Sequence, residues 1–222
     1  MTGPRAERVA FPRSSRLPGR VLPVGFYARD TRTVARELLG CILARFDEHW
    51  GWSWGRIVET EAYRGESDPA CHGAAGLTPR TRVLYGRPGR SYVYFSYGMH
   101  FLFNVVTETD GFPAAVLVRA LEPLGGLERI RANRGGREEH EWTSGPGRLC
   151  SALGITLDDN ALPLQRPPLV LRSDGRRPER VETGPRVGIR KGVDRRWRFW
   201  VAGSRHVSRA RPGPPSRRRR PA

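Results

Sequence analysis

Residues 91 to 107 read SYVYFSYGMHFLFNVVT, and no other stretch constrains the fold as tightly. Aromatic and β-branched side chains alternate on both sides of Tyr97-Gly98-Met99-His100, the pattern of two strands joined by a tight turn. The segment predicts a β-hairpin whose tip carries an aromatic ring, a glycine and a flexible thioether. Large apolar groups at a tip are costly to leave in water. Either the hairpin packs on its own core or the tip enters something outside the protein.

Further strand-like runs lie at residues 41–46, 54–63 and 114–121, and a last pair is expected around 186–189 and 197–201. Helical spacing predicts a helix over 31–39, capped by Asp30 or Thr31, with Val34, Leu38 and Leu39 inward and Gly40 as its stop. A second is expected over 123–134, with Leu124, Leu127 and Ile130 on one side, and a third over 145–153. Residues 158–182, rich in Pro and Arg, read as a long surface connection. Strands in succession without alternating helices predict an α+β fold: a curved, mainly antiparallel sheet flanked by helices, with a protruding hairpin.

At 222 residues the chain suits one domain with a real core. Residues 1–20 and 209–222 lack any hydrophobic period and read as basic flexible arms around a domain at 21–208. Solvated tails are the simpler reading of these arms, and tracking along a polyanion the sharper one. No apolar run reaches the roughly 18 residues of a membrane span, and the first twenty residues lack a secretory core, so a cytoplasmic protein without membrane contact is expected. Cys41, Cys71 and Cys150 are scattered without metal-ligand spacing, which predicts neither a metal nor another cofactor.

A formal charge of +17 points to a polyanionic partner, nucleic acid above all. Of the 39 basic residues only Lys191 is lysine, a bias that fits a GC-rich genome and makes the choice of arginine uninformative. In so basic a chain the hairpin tip suits a base stack, where an inserted side chain unstacks a step and fills the gap left by a flipped base.

The segment Trp54–His72, WGRIVETEAYRGESDPACH, carries the candidate chemistry. A period of two places Ile57, Glu59, Glu61 and Tyr63 on one strand face, so two carboxylates lie beside a phenol. The plain reading of a strand glutamate is a solvated charge. Yet the strand runs into a loop of Gly, Pro, Asp and Ser that includes His72, and loops beside rigid strands are where sites are built. Spacing alone does not choose between Glu59 and Glu61. In SGPGRLC (144–150), Ser144 occupies an N-cap position before Gly145 and Pro146, and the free N–H groups of such a helix start, with Arg148 nearby, can take a phosphate. A plain helix start is the alternative.

Taken together, ELLGCIL (37–43), ETEAY (59–63), AYRGESDPACH leading to TPR (62–80), YVYFSYGMHFLFN (92–104), VLVRALEPL (116–124), SGPGRLC, RVGI (186–189) and FWVAGSRHVS (199–208) resemble the alkyladenine, or 3-methyladenine, DNA glycosylases of base excision repair. Several motifs in order over roughly residues 20–208 make this a specific match. The resemblance implies a monofunctional hydrolase, monomeric and without an obligate protein partner, working on damaged purines in double-stranded DNA on the nucleoid. It implies Glu61 as the base that activates water and Arg119 as its neighbour. Tyr63, His72 and Tyr94 would wall the base pocket, and Asn104 would crowd the amino group of guanine. Tyr97, with Met99, would enter the duplex. The residues themselves, apart from the resemblance, offer Ser144, Gly145 and Arg148 as contacts to the DNA backbone and Glu59 as a structural residue paired with an arginine. Where family members often carry another aromatic after the Gly-Met pair, this chain has His100.

Two rivals follow from the same residues. A bifunctional enzyme would cleave the strand through a Schiff base on an amine, and Lys191 is the only lysine. A binding module for DNA or tRNA would use the charge and the hairpin, but would have no use for a carboxylate that repels phosphate.

Overall fold

The computed structural model describes residues 17–96 and 98–209. Tyr97 and most of both basic arms lie outside the described residues. A short strand β1 (Arg20–Val21) and helix α1 (Val24–Tyr27) lead into helix α2 (Thr31–Glu37). Arg20 is thus part of the sheet, although it falls within the segment read from sequence as an arm. Asp30 caps α2 by accepting from the backbone N–H groups of Arg32 and Thr33, which satisfies two of the donors a helix start leaves open. Val34, Leu38 and Leu39 are buried, as their spacing requires.

Strands β2 (Ile42–Asp47), β3 (Gly51–Arg64), β4 (Ser91–Ser96), β5 (His100–Val106) and β6 (Ala114–Gly125) follow, then helices α3 (Leu127–Arg134) and α4 (Pro146–Leu153). Strands β7 (Gln165–Arg166), β8 (Leu169–Ser173), β9 (Val181–Gly184) and β10 (Arg198–Val201) complete the fold. The described strands form one open antiparallel sheet in the order β1-β8-β2-β3-β6-β5-β4, with β7 on β8 and β10 between β3 and β9. The class is α+β, as the pattern of elements predicts.

The 14-residue β3 organises everything else. Its first half pairs with β2 and its second half with β10 along one edge, while β6 runs along the other. Helices α2 and α4 cover the sheet, and Val34, Leu38, Ile57, Ala62, Phe103, Val118, Leu149, Leu153 and Phe199 fill the main apolar cluster. Buried apolar area of this kind contributes about 25 cal/mol per Å².

Four local expectations differ from the structure. The helix read over 123–134 begins only at Leu127, because β6 continues to Gly125; Leu124 and Leu127 are both exposed and only Ile130 is buried. Residues 158–182 are not a surface loop, since Leu169, Val170 and Leu171 form a buried strand edge-on to β2. Their three consecutive apolar residues were hidden among prolines and arginines. The last strand pair is β9 with β10, five residues earlier on its first arm than expected, and residues 186–189 form a loop instead. Finally, register shifts against β6 flank Glu59. An extra residue in a bulge advances the side-chain alternation by one, so Ile57 joins the core cluster with Ala62 and drops out of the row shared by Glu59, Glu61 and Tyr63.

Candidate active site

The bulge in β3 and the matching irregularity in β6 bring Glu59, Glu61 and Arg119 together at the centre of the sheet, all three buried. Neither glutamate is the surface charge that strand spacing alone favours. Glu59 is saturated by the protein: Oε1 accepts from Arg119 Nε (2.8 Å), Arg198 Nε (2.7 Å) and Ser208 Oγ (2.9 Å), and Oε2 from the Ser208 N–H (2.7 Å). Glu59 is thus paired with two arginines. Glu61 has fewer partners, with Oε1 accepting from the Val187 N–H (2.7 Å) and Oε2 from the Tyr63 hydroxyl (2.7 Å). Arg119 Nη1 lies 3.3 Å from Glu61 Oε1.

Burial, and then the nearby Glu61 carboxylate, push the Tyr63 hydroxyl well above the usual phenol range, so it stays a donor to that carboxylate. Burial works against the charge on Arg119, but Glu61 and Glu59 more than offset it and raise its pKa.

In front of this cluster opens a cleft of about 1090 Å³. Tyr63, Arg119 and Val187 line its floor, and His72, Tyr92 and Tyr94 form an aromatic wall. The ring centroids of His72 and Tyr94 are 4.6 Å apart and those of Tyr92 and Tyr94 5.3 Å apart. Tyr92 Oη and His72 Nδ1 are hydrogen-bonded at 2.8 Å. Asn104 is fixed by donating from Nδ2 to the Tyr92 carbonyl (3.1 Å). Arg80 stands over Tyr94, its guanidinium carbon 5.0 Å from the ring centroid.

Burial, with a smaller contribution from Arg80, lowers the His72 pKa to about 4. An unfolded histidine titrates near 6.5, so His72 contributes stability that is fully present above that value and is lost as pH falls from about 6.5 to about 4. His72 should therefore be neutral at pH 6, and an NMR titration of its ring should show a midpoint near 4. A midpoint near 6.5 would mean that the imidazole is solvated and free of this wall.

Met99 is exposed at the hairpin tip and, with Phe95, lines the outer part of the cleft. His100 is exposed and lies against helix α4, where a Cβ on Gly147 would come within 2.9 Å of its ring. Gly145 and Arg148 also line the cleft, but Ser144 does not. The α4 N-cap is Gly145, without side-chain capping, because the Ser144 backbone is bridged to Ala120 in the sheet. The Ser144 hydroxyl accepts instead from Arg148 (3.1 Å), and Ser144 faces a smaller depression lined also by His140, Arg205 and Arg209. Lys191 is exposed and does not line the cleft. Among the described residues no group of His, Cys, Asp and Glu could hold a metal, and no helix is long and apolar enough to cross a membrane.

Several contributors carry little signal in the sequence. Tyr92 continues the hairpin alternation and was open to recognition by its spacing. Asp68 and Arg186 were not: they form a fully buried pair across 118 residues, with Arg186 Nη2 2.8 Å from Asp68 Oδ1. The Arg186 guanidinium carbon sits 4.7 Å from the Tyr63 ring centroid, and the next residue supplies the N–H that meets Glu61. Ser208 lies within a recognised motif, but only the fold brings it to Glu59.

The profile of the methylpurine-DNA glycosylases matches residues 25–205. A relative from Myxococcus xanthus is 51% identical over 205 residues, covering 90% of this chain and 98% of its own. One from Methanoculleus marisnigri is 50% identical over 193 residues, covering 85% and 98%, and one from Chlorobaculum tepidum is 41% identical over 206 residues, covering 90% and 96%. All three are provisionally named 3-methyladenine DNA glycosylases. On the extent of these matches, the chain belongs to the methylpurine-DNA glycosylase family.

Proposed function

We propose that this chain is a monofunctional DNA-3-methyladenine glycosylase that flips alkylated or deaminated purines out of double-stranded DNA and hydrolyses their N-glycosidic bonds. The observation that carries this reading is the Glu61 carboxylate, held by Tyr63, Val187 and Arg119 behind an aromatic cleft of about 1090 Å³, a volume ample for a purine. In the proposed step Glu61 takes a proton from water as its oxygen bonds to C1′, and the base leaves with the electron pair of the glycosidic bond. The sugar becomes oxocarbenium-like on the way, so a carboxylate on its far face also stabilises positive charge, as in inverting glycosidases.

Tyr63, His72 and Tyr94 would hold the flipped base. Alkylation at N3 or N7 makes a purine cationic, which weakens the glycosidic bond and adds about 0.5 to 2 kcal/mol of attraction to the electron-rich rings. A neutral His72 adds no repulsion. Neutral lesions such as hypoxanthine need a proton on the leaving base instead. Asn104, fixed by its bond to Tyr92, would crowd the exocyclic amino group of guanine. The hairpin tip, Tyr97 with Met99, would fill the gap in the stack. Arg148, with Gly145, Arg134 and Arg137 beside it on the cleft, would meet phosphate; the Gly145 N–H itself is taken by the Thr143 carbonyl (3.0 Å). For Ser144 only an indirect contribution is proposed, through its hydrogen bond with Arg148.

The test is base release from duplexes that each carry 3-methyladenine, 7-methylguanine, hypoxanthine or etheno-adenine, with an undamaged duplex beside them. Free base should appear from at least one lesion while the strand stays intact, and borohydride should trap no protein on the DNA. A trapped adduct would establish amine chemistry and remove the monofunctional reading. No release from any lesion would remove the glycosylase reading itself.

A further inference from the structure

The second buried glutamate, Glu59, has no part in the reaction as proposed, yet it receives more hydrogen bonds than Glu61. Arg119 offers five N–H donors and is shared between two carboxylates. Its Nε donates to Glu59 at 2.8 Å and its Nη2 to Ser208 Oγ at 3.3 Å, while Nη1 stands 3.3 Å from Glu61. The stronger hold is on the side away from the reaction. Ser208 ties the arrangement together, since its hydroxyl and its N–H both donate to Glu59 and its oxygen also accepts from Arg119. With four donors on its two oxygens, Glu59 is filled by the protein, whereas among the described residues Glu61 has hydrogen bonds from Val187 and Tyr63 only.

We propose that Glu59 and Ser208 are positioning residues that hold Arg119 to one contact with Glu61 and so keep a face of the Glu61 carboxylate for the attacking water. Guanidinium and carboxylate prefer a two-pronged pair of short hydrogen bonds. Released from Glu59, Arg119 would rotate into that pair with Glu61 and occupy the oxygens that water must use. Glu59 thus competes for the arginine. This inference rests on the reading of Glu61 as the base that activates water.

The test is a double-mutant cycle read by single-turnover base release, with affinity for a duplex carrying a tetrahydrofuran abasic analogue measured alongside. Glu59→Gln keeps the shape but loses the charge, and excision should slow by about 10- to 100-fold, the scale of a hydrogen bond to a charged group. Affinity for the analogue should stay within about 3-fold. In an Arg119→Ala background the same change should cost nothing further, because its effect passes through Arg119. Additive losses, or equal losses of binding and excision, would mean that Glu59 only stabilises the fold and would overturn the proposal.

Ser208→Ala removes one neutral donor and keeps the charges, so it tests the idea should Glu59→Gln fold poorly. It should slow excision by about 2- to 10-fold with binding unchanged. Excision at the parent rate would overturn the proposal. Failure of the underlying reading looks different: Glu61→Gln would then excise as fast as the parent, whatever Glu59 does.

Discussion

Replacing Glu61 with Gln should slow release of 7-methylguanine or hypoxanthine by about 10²- to 10⁴-fold, the usual worth of a general base, or roughly 3 to 5 kcal/mol of barrier. Binding of the damaged duplex should change little, because phosphate contacts at some distance dominate affinity. The substitution is well suited to the site. A glutamine oxygen in place of Oε1 can still accept from the Val187 N–H, and the amide in place of Oε2 can donate to the Tyr63 hydroxyl in a reversed hydrogen bond. Arg119 keeps its charged partner in Glu59, so no buried cation is stranded. A thermal midpoint close to the parent's should accompany the loss of rate. Excision within about 3-fold of the parent, with the fold intact, would rule out Glu61 as the base and leave the cleft a binding site for damaged purines.

The parts of this site that could be read from the sequence are those set by local periodicity. Alternation placed Glu59, Glu61 and Tyr63 on one face, and the structure keeps all three on a common hydrogen-bonded cluster. The hairpin over 91–107 was equally legible, because both strands alternate and Gly98 sits at φ +67, a backbone that favours glycine. Alternation failed at Ile57, where a bulge resets the phase and a strict period of two has no means of showing it. It also failed to rank the two glutamates. What separates them is the number of donors each receives, and those come from Ser208, Arg198, Arg119 and Val187, residues 58 or more positions away in the chain. The Pro- and Arg-rich stretch before β9 hid a buried strand for a similar reason. Composition averages over a window, whereas Leu169, Val170 and Leu171 are buried by the β2 edge they meet.

Removing the charge of Asp68, buried behind the cleft, should produce a large loss of stability, about 3 to 5 kcal/mol for Asp68→Asn. Both side chains of the Asp68–Arg186 pair are fully covered, and breaking one half of such a pair leaves the other charge buried without compensation. Arg195, 3.6 Å from Asp68 Oδ1 and partly exposed, offers little relief, since it too is a cation. The exposed Arg87–Asp110 pair is the natural control, and Asp110→Asn should cost no more than about 1 kcal/mol. Replacing both buried partners with apolar residues of similar volume should recover much of the loss, because a buried ion pair roughly balances its own desolvation. Activity should not recover with it. Asp68 accepts from the backbone of Arg64 and Ala70, and Arg186 supports the Tyr63 ring and fixes the loop whose Val187 N–H meets Glu61. The pair therefore joins the loop that carries His72 to the loop behind Glu61. A stable double variant with excision lowered by about 10-fold or more would assign the pair to the alignment of the cleft, and a double variant with parental excision would assign it to stability alone.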